Sequence, residues 1–252
     1  MTDIKKDDIR VNFEELDYQR TALGELILRR RCALEADGRE IFEVKLNDEY
    51  LMSSLFHEGE VALTDLGLAE LTGEGWDILV GGLGLGYTAA AALKYDQVTR
   101  MIVVEALAPV IEWHQREIVP NGRLLSKDAR CRYYHEDFFA LARGDGFDPD
   151  EAEHSFDAIL LDLDHTPDAL LNPGHADLYS EEGMRRLRKF LKPGGVFGLW
   201  SNDVPEKDFL AILSRVFDQV DGHVVEFDNP IQGNTASNGV YVAKVVDFQG
   251  PP

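Results

Sequence analysis

Apolar and polar positions follow two different rhythms along the chain, and the change falls near residue 75. Before it, Arg31 to Glu35, Glu40 to Leu46 and Glu49 to Ser53 read as short strands. They are separated by Asp37-Gly38, a strong hairpin turn signal, and by Asn47-Asp48. Leu55 to Leu71 reads as a helix closed by Gly73 and Gly75. From Trp76 onward, apolar runs alternate with helical patterns. Trp76–Val80, Met101–Val104, Arg130–Tyr134, Phe156–Leu161 and Val196–Trp200 are short and apolar or β-branched, the character of strands buried on both faces. Tyr87–Tyr95, Pro109–Val119, Phe138–Ala142 and Ser180–Leu191 supply the helices between them. Val220–Phe227 and Gly239–Val246 have only the polar loop Asp228–Asn238 between them, which predicts an antiparallel pair at a sheet edge.

Strand–helix alternation demands right-handed crossovers and a parallel sheet. The expected fold is therefore α/β: a doubly wound, Rossmann-like, mostly parallel sheet with an antiparallel terminal strand pair, preceded by a small N-terminal β-hairpin segment. The expected division is 1–75 for the hairpin and helix segment and 76–252 for the nucleoside-binding domain.

Composition narrows the function classes. Of 252 residues 44% are hydrophobic and 28% charged, which describes a globular chain rather than a disordered one. No stretch approaches eighteen uninterrupted apolar residues, so no transmembrane helix is expected. Met1 to Arg10 lacks an apolar secretory core, and the expected location is cytoplasmic. Cys32 and Cys131 are too few for a disulfide framework and lack metal-ligand spacing. His57, His114 and His175 share no helical metal spacing either, so no metal is expected. The absence of a Gly-x-Ser-x-Gly elbow argues against a nucleophilic triad. Forty-six acids against 25 Lys plus Arg give a net charge of −21. Such a field repels nucleic-acid phosphates and attracts cationic small molecules. The acidic stretch Asp145–Glu153 reads as a solvated loop, and Trp113 and Trp200 as core or pocket wall.

Ligands of open parallel sheets bind at the carboxyl ends of the strands, so the residues just after each apolar run carry the chemistry. The first run ends in Gly81-Gly82-Leu83-Gly84-Leu85-Gly86 before the helix-forming Ala89–Leu93, a turn where backbone N–H groups can approach a ligand closely. The second ends in Glu105, twenty-one residues after Gly84, where a carboxylate can accept from both ribose hydroxyls. The third is followed by Glu136-Asp137-Phe138-Phe139. There Asp137 could accept from an exocyclic adenine amine beside the ring of Phe138, or cap the next helix. The fourth delivers Asp162-Leu163-Asp164-His165-Thr166-Pro167, and Asp162, Asp164 and His165 are the catalytic candidates. Loop and acid together point to an adenosine-type cofactor, leaving NAD and S-adenosylmethionine both open.

These residues resemble the spermidine synthase family, within the class I S-adenosylmethionine-dependent transferases. The resemblance rests on Asp-Ile-Leu-Val-Gly-Gly (77–82), Val-Val-Glu (103–105), Glu-Asp-Phe-Phe (136–139) and Phe-Asp-Ala-Ile-Leu-Leu-Asp (156–162). Tyr-Ser-Glu-Glu-Gly-Met (179–184) and Leu-Lys-Pro-Gly-Gly-Val (191–196) extend it. It implies an S-adenosylmethionine-type donor rather than NAD, with Gly81, Gly82, Gly84 and Gly86 cradling it, Glu105 on the ribose and Asp137 and Phe138 at the adenine. It also implies a homodimer.

The chain departs from the family where the reaction is chosen. Spermidine synthases carry an acid inside the glycine loop, aligned with Gly84, that holds the ammonium of decarboxylated S-adenosylmethionine. A charge-assisted bond of that kind is worth about 1.5–3 kcal/mol. Glycine there instead suits the carboxylate of S-adenosylmethionine itself. The expectation is accordingly a methyltransferase acting on a small, amine-bearing acceptor. Asp162 or Asp164 would orient the nucleophile and His165 accept its proton, with Tyr18–Ser54 and Asn229–Asn238 closing over the acceptor. The alternatives are an aminopropyltransferase using decarboxylated S-adenosylmethionine and putrescine, a non-catalytic binding protein that keeps the fold, and, more distantly, a nicotinamide-dependent oxidoreductase.

Overall fold

The structure is a computed structural model and describes residues 13–33, 38–144 and 146–247. The predicted turn residue Asp37 and the end of the first predicted strand lie outside these residues. The chain divides into two compact units, residues 1–56 with 228–234 and residues 57–227 with 235–252. The helix after the hairpins thus belongs to the larger unit, because its apolar side packs on strands and a helix of the large sheet.

The smaller unit carries a four-stranded antiparallel meander, β1 (Phe13–Thr21), β2 (Gly24–Ala33), β3 (Arg39–Leu46) and β4 (Glu49–Ser53), in that order. The pattern alone misses β1. It is an edge strand whose residues are all exposed or half-exposed, so no apolar alternation marks it. Leu26, Leu28 and Val44 are buried on one face of this sheet and Ile41 on the other. Glu43 is buried on the face of Ile41, and its two oxygens accept from the Nε atoms of Arg29 and Arg31 at 2.6 and 2.9 Å. A buried carboxylate tolerates this only because it is paired.

The larger unit begins with α1 (Glu58–Leu68) and continues as β5 (Trp76–Gly81), α2 (Tyr87–Ala92), β6 (Val98–Glu105), α3 (Ala108–Gln115), α4 (Gly122–Lys127), β7 (Cys131–His135) and α5 (Phe138–Arg143). Then follow β8 (Phe156–Leu161), a 3-10 turn over Pro173–His175, α6 (Glu181–Arg188), β9 (Leu191–Ser201), α7 (Lys207–Ser214), β10 (Gln219–Asn229) and β11 (Asn234–Lys244). The seven strands lie in the order β10-β11-β9-β8-β5-β6-β7. The pairs from β9 through β7 are parallel, and β11 runs antiparallel to β9. The chain is thus doubly wound with an antiparallel terminal strand, as the alternating pattern requires.

Burial on both faces explains the uninterrupted apolar strands. Leu79, Ile102, Val104, Ile159, Leu161, Phe197 and Leu199 join Phe139, Met184, Leu187, Phe209 and Leu213 from α5, α6 and α7 in one core. On the other face Leu63 of α1 and Leu160 of β8 fill the space over Gly198. Helix ends are set by side chains. Ser180 accepts from the N–H of Gly183 at 3.0 Å to start α6, whose first turn holds Glu181 and Glu182 and whose last turn holds Arg185, Arg186 and Arg188. The segment 146–153 is not the fully solvated loop expected. Phe147 is completely buried against Phe138 and Phe190, and Asp148 is buried too. Asp148 pairs with Arg100, which also holds Asp77 at 2.9 Å, while His154 Nε2 sits 2.7 Å from Asp77. Burial works against the Asp148 carboxylate, yet the Asp150 N–H and Arg100 hold it below its ordinary pKa. Asp148, Glu151 and His154 bring ligand-type atoms within 4.8 Å of one another, and Arg100 already neutralises Asp148. Among the described residues no helix is long and apolar enough to cross a membrane.

Candidate active site

Strand order reverses at β5: β6 and β7 lie to one side of it and β8 and β9 to the other. The crevice at such a switch point is where open α/β sheets hold ligands. It lies between the glycine loop after β5 and the loop after β8, and the Asp162 N–H donates to the Gly81 carbonyl across it at 2.9 Å.

The glycine loop is held mainly by protein. Gly82 has φ +93°, and a Cβ there would sit 2.1 Å from the carbonyl oxygen of Asp162. Gly86 has φ +82°, and its Cβ would meet Leu125 and His114. A side chain at Gly81 would collide with Leu161 and Phe138. Gly84, at φ +49°, is half-exposed. Two side chains fasten the loop from beneath. Asn121 Nδ2 donates to the Leu85 carbonyl at 2.9 Å, and the completely buried His114 lies 3.0 Å through Nε2 from the Gly84 carbonyl. A carbonyl only accepts, so Nε2 carries the imidazole proton and Nδ1 is the bare nitrogen, buried without a partner. Burial pushes the His114 pKa down to about 4, so it is neutral at pH 7.

Glu105 ends β6 with a buried carboxylate. One oxygen accepts from the Leu83 N–H at 2.9 Å and the other from the Leu107 N–H at 2.8 Å. Burial raises its pKa in spite of these N–H groups. The N–H groups of Gly84 and Ala106 act on it beside those of Leu83 and Leu107, so the carboxylate is gripped by the backbone of both turns. Asp137 is the N-cap of α5, its Oδ1 accepting from Phe139 and Ala140 at 2.8 and 3.3 Å. Phe138 lies 2% exposed beneath Gly81, packed into the core with its ring tilted against Phe147.

The three acid and histidine positions after β8 part company. Asp162 is at the crevice, and its Oδ2 accepts from the Thr88 hydroxyl at 3.2 Å. Burial first, then the Glu105 charge, pushes its carboxyl up to about 6 against that bond. Asp164 is 3% exposed and turned inward, where it accepts from Tyr179 Oη (2.9 Å), the Leu171 N–H (2.8 Å) and His175 Nδ1 (2.9 Å). His175 in turn stacks on Phe139 at 3.5 Å between ring centroids. His165 is half-buried, and its carbonyl accepts from the Asn202 N–H at 2.7 Å, tying this loop to the end of β9.

A residue that pattern reasoning overlooked completes the corner. Glu60, in the first turn of α1, is pushed up to about 8, by burial first and by the charge of Asp162 second. Thr64, one turn on, lies with its hydroxyl 3.0 Å from the Thr88 carbonyl, and Thr88 in turn bonds Asp162. Gly59, beside Glu60, is buried where a Cβ would stand 2.4 Å from Trp200 Nε1 and 2.7 Å from Asn238 Oδ1. Trp200 Nε1 is itself buried without a partner.

No family model matches the chain. Curated relatives named polyamine aminopropyltransferase do. That of Prochlorococcus marinus strain MIT 9313 is 28% identical over 151 residues, 57% of this chain and 48% of its own. That of Sulfolobus acidocaldarius is 28% identical over 184 residues, 72% of this chain and 53% of its own. The chain spans about half the length of the curated relatives it matches. Among solved structures, a spermidine synthase in complex with the transition-state analogue AdoDATO and that of Thermotoga maritima superpose with TM-scores of 0.70 and 0.69. Both are 18% identical over 92% of this chain and cover 74% and 73% of theirs. Human methyltransferase-like protein 13 in complex with SAH superposes at 0.51, with 21% identity over 77% of this chain and 82% of its own.

These names overturn the methyl-transfer expectation and the S-adenosylmethionine donor that went with it, in favour of the aminopropyltransferase alternative. The reason lies in weighing one position alone: Gly84 removes an acid from the loop, while the rest of the chain keeps its likeness to the aminopropyltransferases. In sequence and in fold the chain is spermidine synthase-like, with the sheet architecture it shares with the class I methyltransferase superfamily.

Proposed function

We propose that the chain is an aminopropyltransferase that uses decarboxylated S-adenosylmethionine as donor and a small polyamine such as putrescine as acceptor. The observation that carries this reading is the likeness to polyamine aminopropyltransferases in a chain whose rim presents Glu105, Asp137 and Asp162 around the glycine loop. Glu105 would accept from the ribose hydroxyls and Asp137 from the adenine amine, while Gly84 leaves room beside the sulfonium.

The reaction is an in-line displacement. The acceptor nitrogen attacks the aminopropyl carbon next to sulfur, the C–N bond forms as the C–S bond breaks, and sulfur keeps the electron pair in methylthioadenosine. The attacking nitrogen must shed a proton. Asp162, half-buried beside Thr88 and ionised at neutral pH, is the acceptor for it. Positioning and exclusion of water supply most of the acceleration.

Incubating the protein with decarboxylated S-adenosylmethionine and putrescine and following methylthioadenosine and spermidine by mass spectrometry tests this. Product is expected with the wild type. Asp162→Asn should lose at least about a hundred-fold in turnover, the scale of general-base catalysis, while retaining donor binding. Absence of product with putrescine and with longer or shorter diamines overturns the reading.

A further inference from the structure

Resting on the reading above, in which Asp137 meets the adenine amine, we infer that His175 is a second acceptor for that amine. With Asp137 it determines specificity, selecting a 6-amino purine over a 6-oxo one. Asp164 is almost wholly buried, with 1% of its side chain exposed against 19% for His175. Its carboxylate takes the Tyr179 hydroxyl, the Leu171 N–H and His175 Nδ1, the last at 2.9 Å from Oδ1 and 3.1 Å from Oδ2. A carboxylate only accepts, so Nδ1 carries the imidazole proton and the neutral ring presents Nε2 as an acceptor. Among the described residues Nε2 has no hydrogen-bond partner. His154 differs on this point, since the carboxylates of Glu151 and Asp77 occupy both of its nitrogens.

Position is set as firmly as protonation. The 3-10 turn Pro173–His175 closes through the His175 N–H on the Asn172 carbonyl at 2.9 Å, and Asn172 Oδ1 caps it through the Gly174 N–H at 2.8 Å. The imidazole lies flat on Phe139, with the planes 8° apart and the centroids at 3.5 Å. Phe139 is also the residue whose N–H donates to Asp137 Oδ1 at 2.8 Å, so it carries Asp137 on its backbone and His175 on its ring. Asp137 Oδ1 is committed to two N–H groups of α5, while Oδ2 has no partner among the described residues. A carboxylate oxygen and an imidazole nitrogen therefore stand beside Phe139 without a donor from among these residues. An adenine amine has two N–H groups and can satisfy both acceptors, whereas a 6-oxo purine would set lone pairs against them. Polar groups left unpaired by such a mismatch are what make a hydrogen-bonding site selective.

Calorimetry of the full chain tests this with methylthioadenosine, with its 6-deamino analogue, which has hydrogen in place of the amine, and with methylthioinosine, which has a 6-oxo group. The wild type is expected to bind them in that order of affinity. His175→Phe keeps a ring against Phe139 and removes both nitrogens. It should bind methylthioadenosine roughly two- to tenfold more weakly, the scale of one neutral hydrogen bond, and the 6-deamino analogue as well as the wild type does. His175→Gln, which offers an amide oxygen at similar reach, should recover part of the loss. Asp164 is the positioning residue. Asp164→Asn offers Nδ1 an N–H and so admits the other tautomer, which should narrow the preference for methylthioadenosine over methylthioinosine. An equal loss for methylthioadenosine and the 6-deamino analogue in His175→Phe would give the ring a packing role alone and overturns the inference. Unchanged methylthioadenosine binding overturns it as well; with turnover lost, the dyad would belong to proton transfer instead. Either result leaves the aminopropyltransferase reading in place. A wild type that binds none of the three nucleosides overturns both.

Discussion

His114, whose ring is completely buried, holds the Gly84 carbonyl from below the loop, and this gives the pair a measurable price in stability. Replacing it in His114→Leu keeps the volume but removes the carbonyl's donor, which should destabilise the chain by about 0.5–1.5 kcal/mol. The pH dependence follows from the direction of the shift. The folded-state pKa is depressed to about 4 from the ordinary 6.5, so between these values the unfolded chain binds a proton that the native chain refuses. Stability from this group is present above about pH 6.5 and is lost as pH falls toward 4. Urea denaturation at pH 7.5 and pH 5 should therefore show a smaller drop for His114→Leu than for the wild type; an equal drop would mean that His114 titrates normally. The residues of the rim were readable from sequence because each follows an apolar run directly, as Glu105 and Asp162 do. Glu60 and His114 were not. Both lie on helices whose local pattern shows nothing of the strand end or turn that the fold brings against them.

At the scale of elements, two caps distinguish holding a helix from holding a ligand. Ser180 starts α6 through the Gly183 N–H, and Asp137 starts α5 through two N–H groups at the proposed adenine end. Ser180→Ala and Asp137→Ala should each cost about 1 kcal/mol, within the range of about 0.5–2 measured for lost caps. Only Asp137→Ala should also weaken binding of methylthioadenosine. Thermal melts with and without that ligand check both, and a matching loss of ligand stabilisation in Ser180→Ala would remove the distinction. The element pattern was recovered best where strands are buried on both faces, with Phe156–Leu161 matching to the residue. It failed at β1 and α7. The first is an exposed edge without alternation, and in the second the eight residues Lys207–Ser214 bury only Phe209 and Leu213 fully. Pro109–Val119 was read as one helix where α3 stops at Gln115, and the backbone leaves the helical region with positive φ at Glu117.

For the whole molecule, the net charge of −21 becomes a kinetic statement once the acceptor is a polyamine. A field of that sign gathers polycations and speeds their encounter, and salt screens it over about 8–10 Å near physiological ionic strength. The proposed turnover should show kcat/KM for putrescine falling several-fold between 20 and about 300 mM NaCl, with kcat nearly constant. A flat profile would show that the acidic surface serves solubility alone. Charge and strand alternation were both visible in the sequence. The division of the chain was not, because α1 follows the hairpins in sequence but packs on the large sheet in space.

The strand order also has a consequence for the chain as it leaves the ribosome. β8 pairs with β5 on one side and with β9 on the other, yet β9 begins thirty residues after β8 ends (191 − 161). During that interval the half-built sheet of β5 to β8 presents Phe-Asp-Ala-Ile-Leu-Leu as an open apolar edge, a template for pairing with another nascent chain. The segment synthesised in between carries Asp164, His175 and Tyr179, whose side chains bond one another within it and add no strand to that edge. A ribosome that stalls within residues 162–190 therefore leaves β8 unpaired on that side, and only the arrival of β9 closes it.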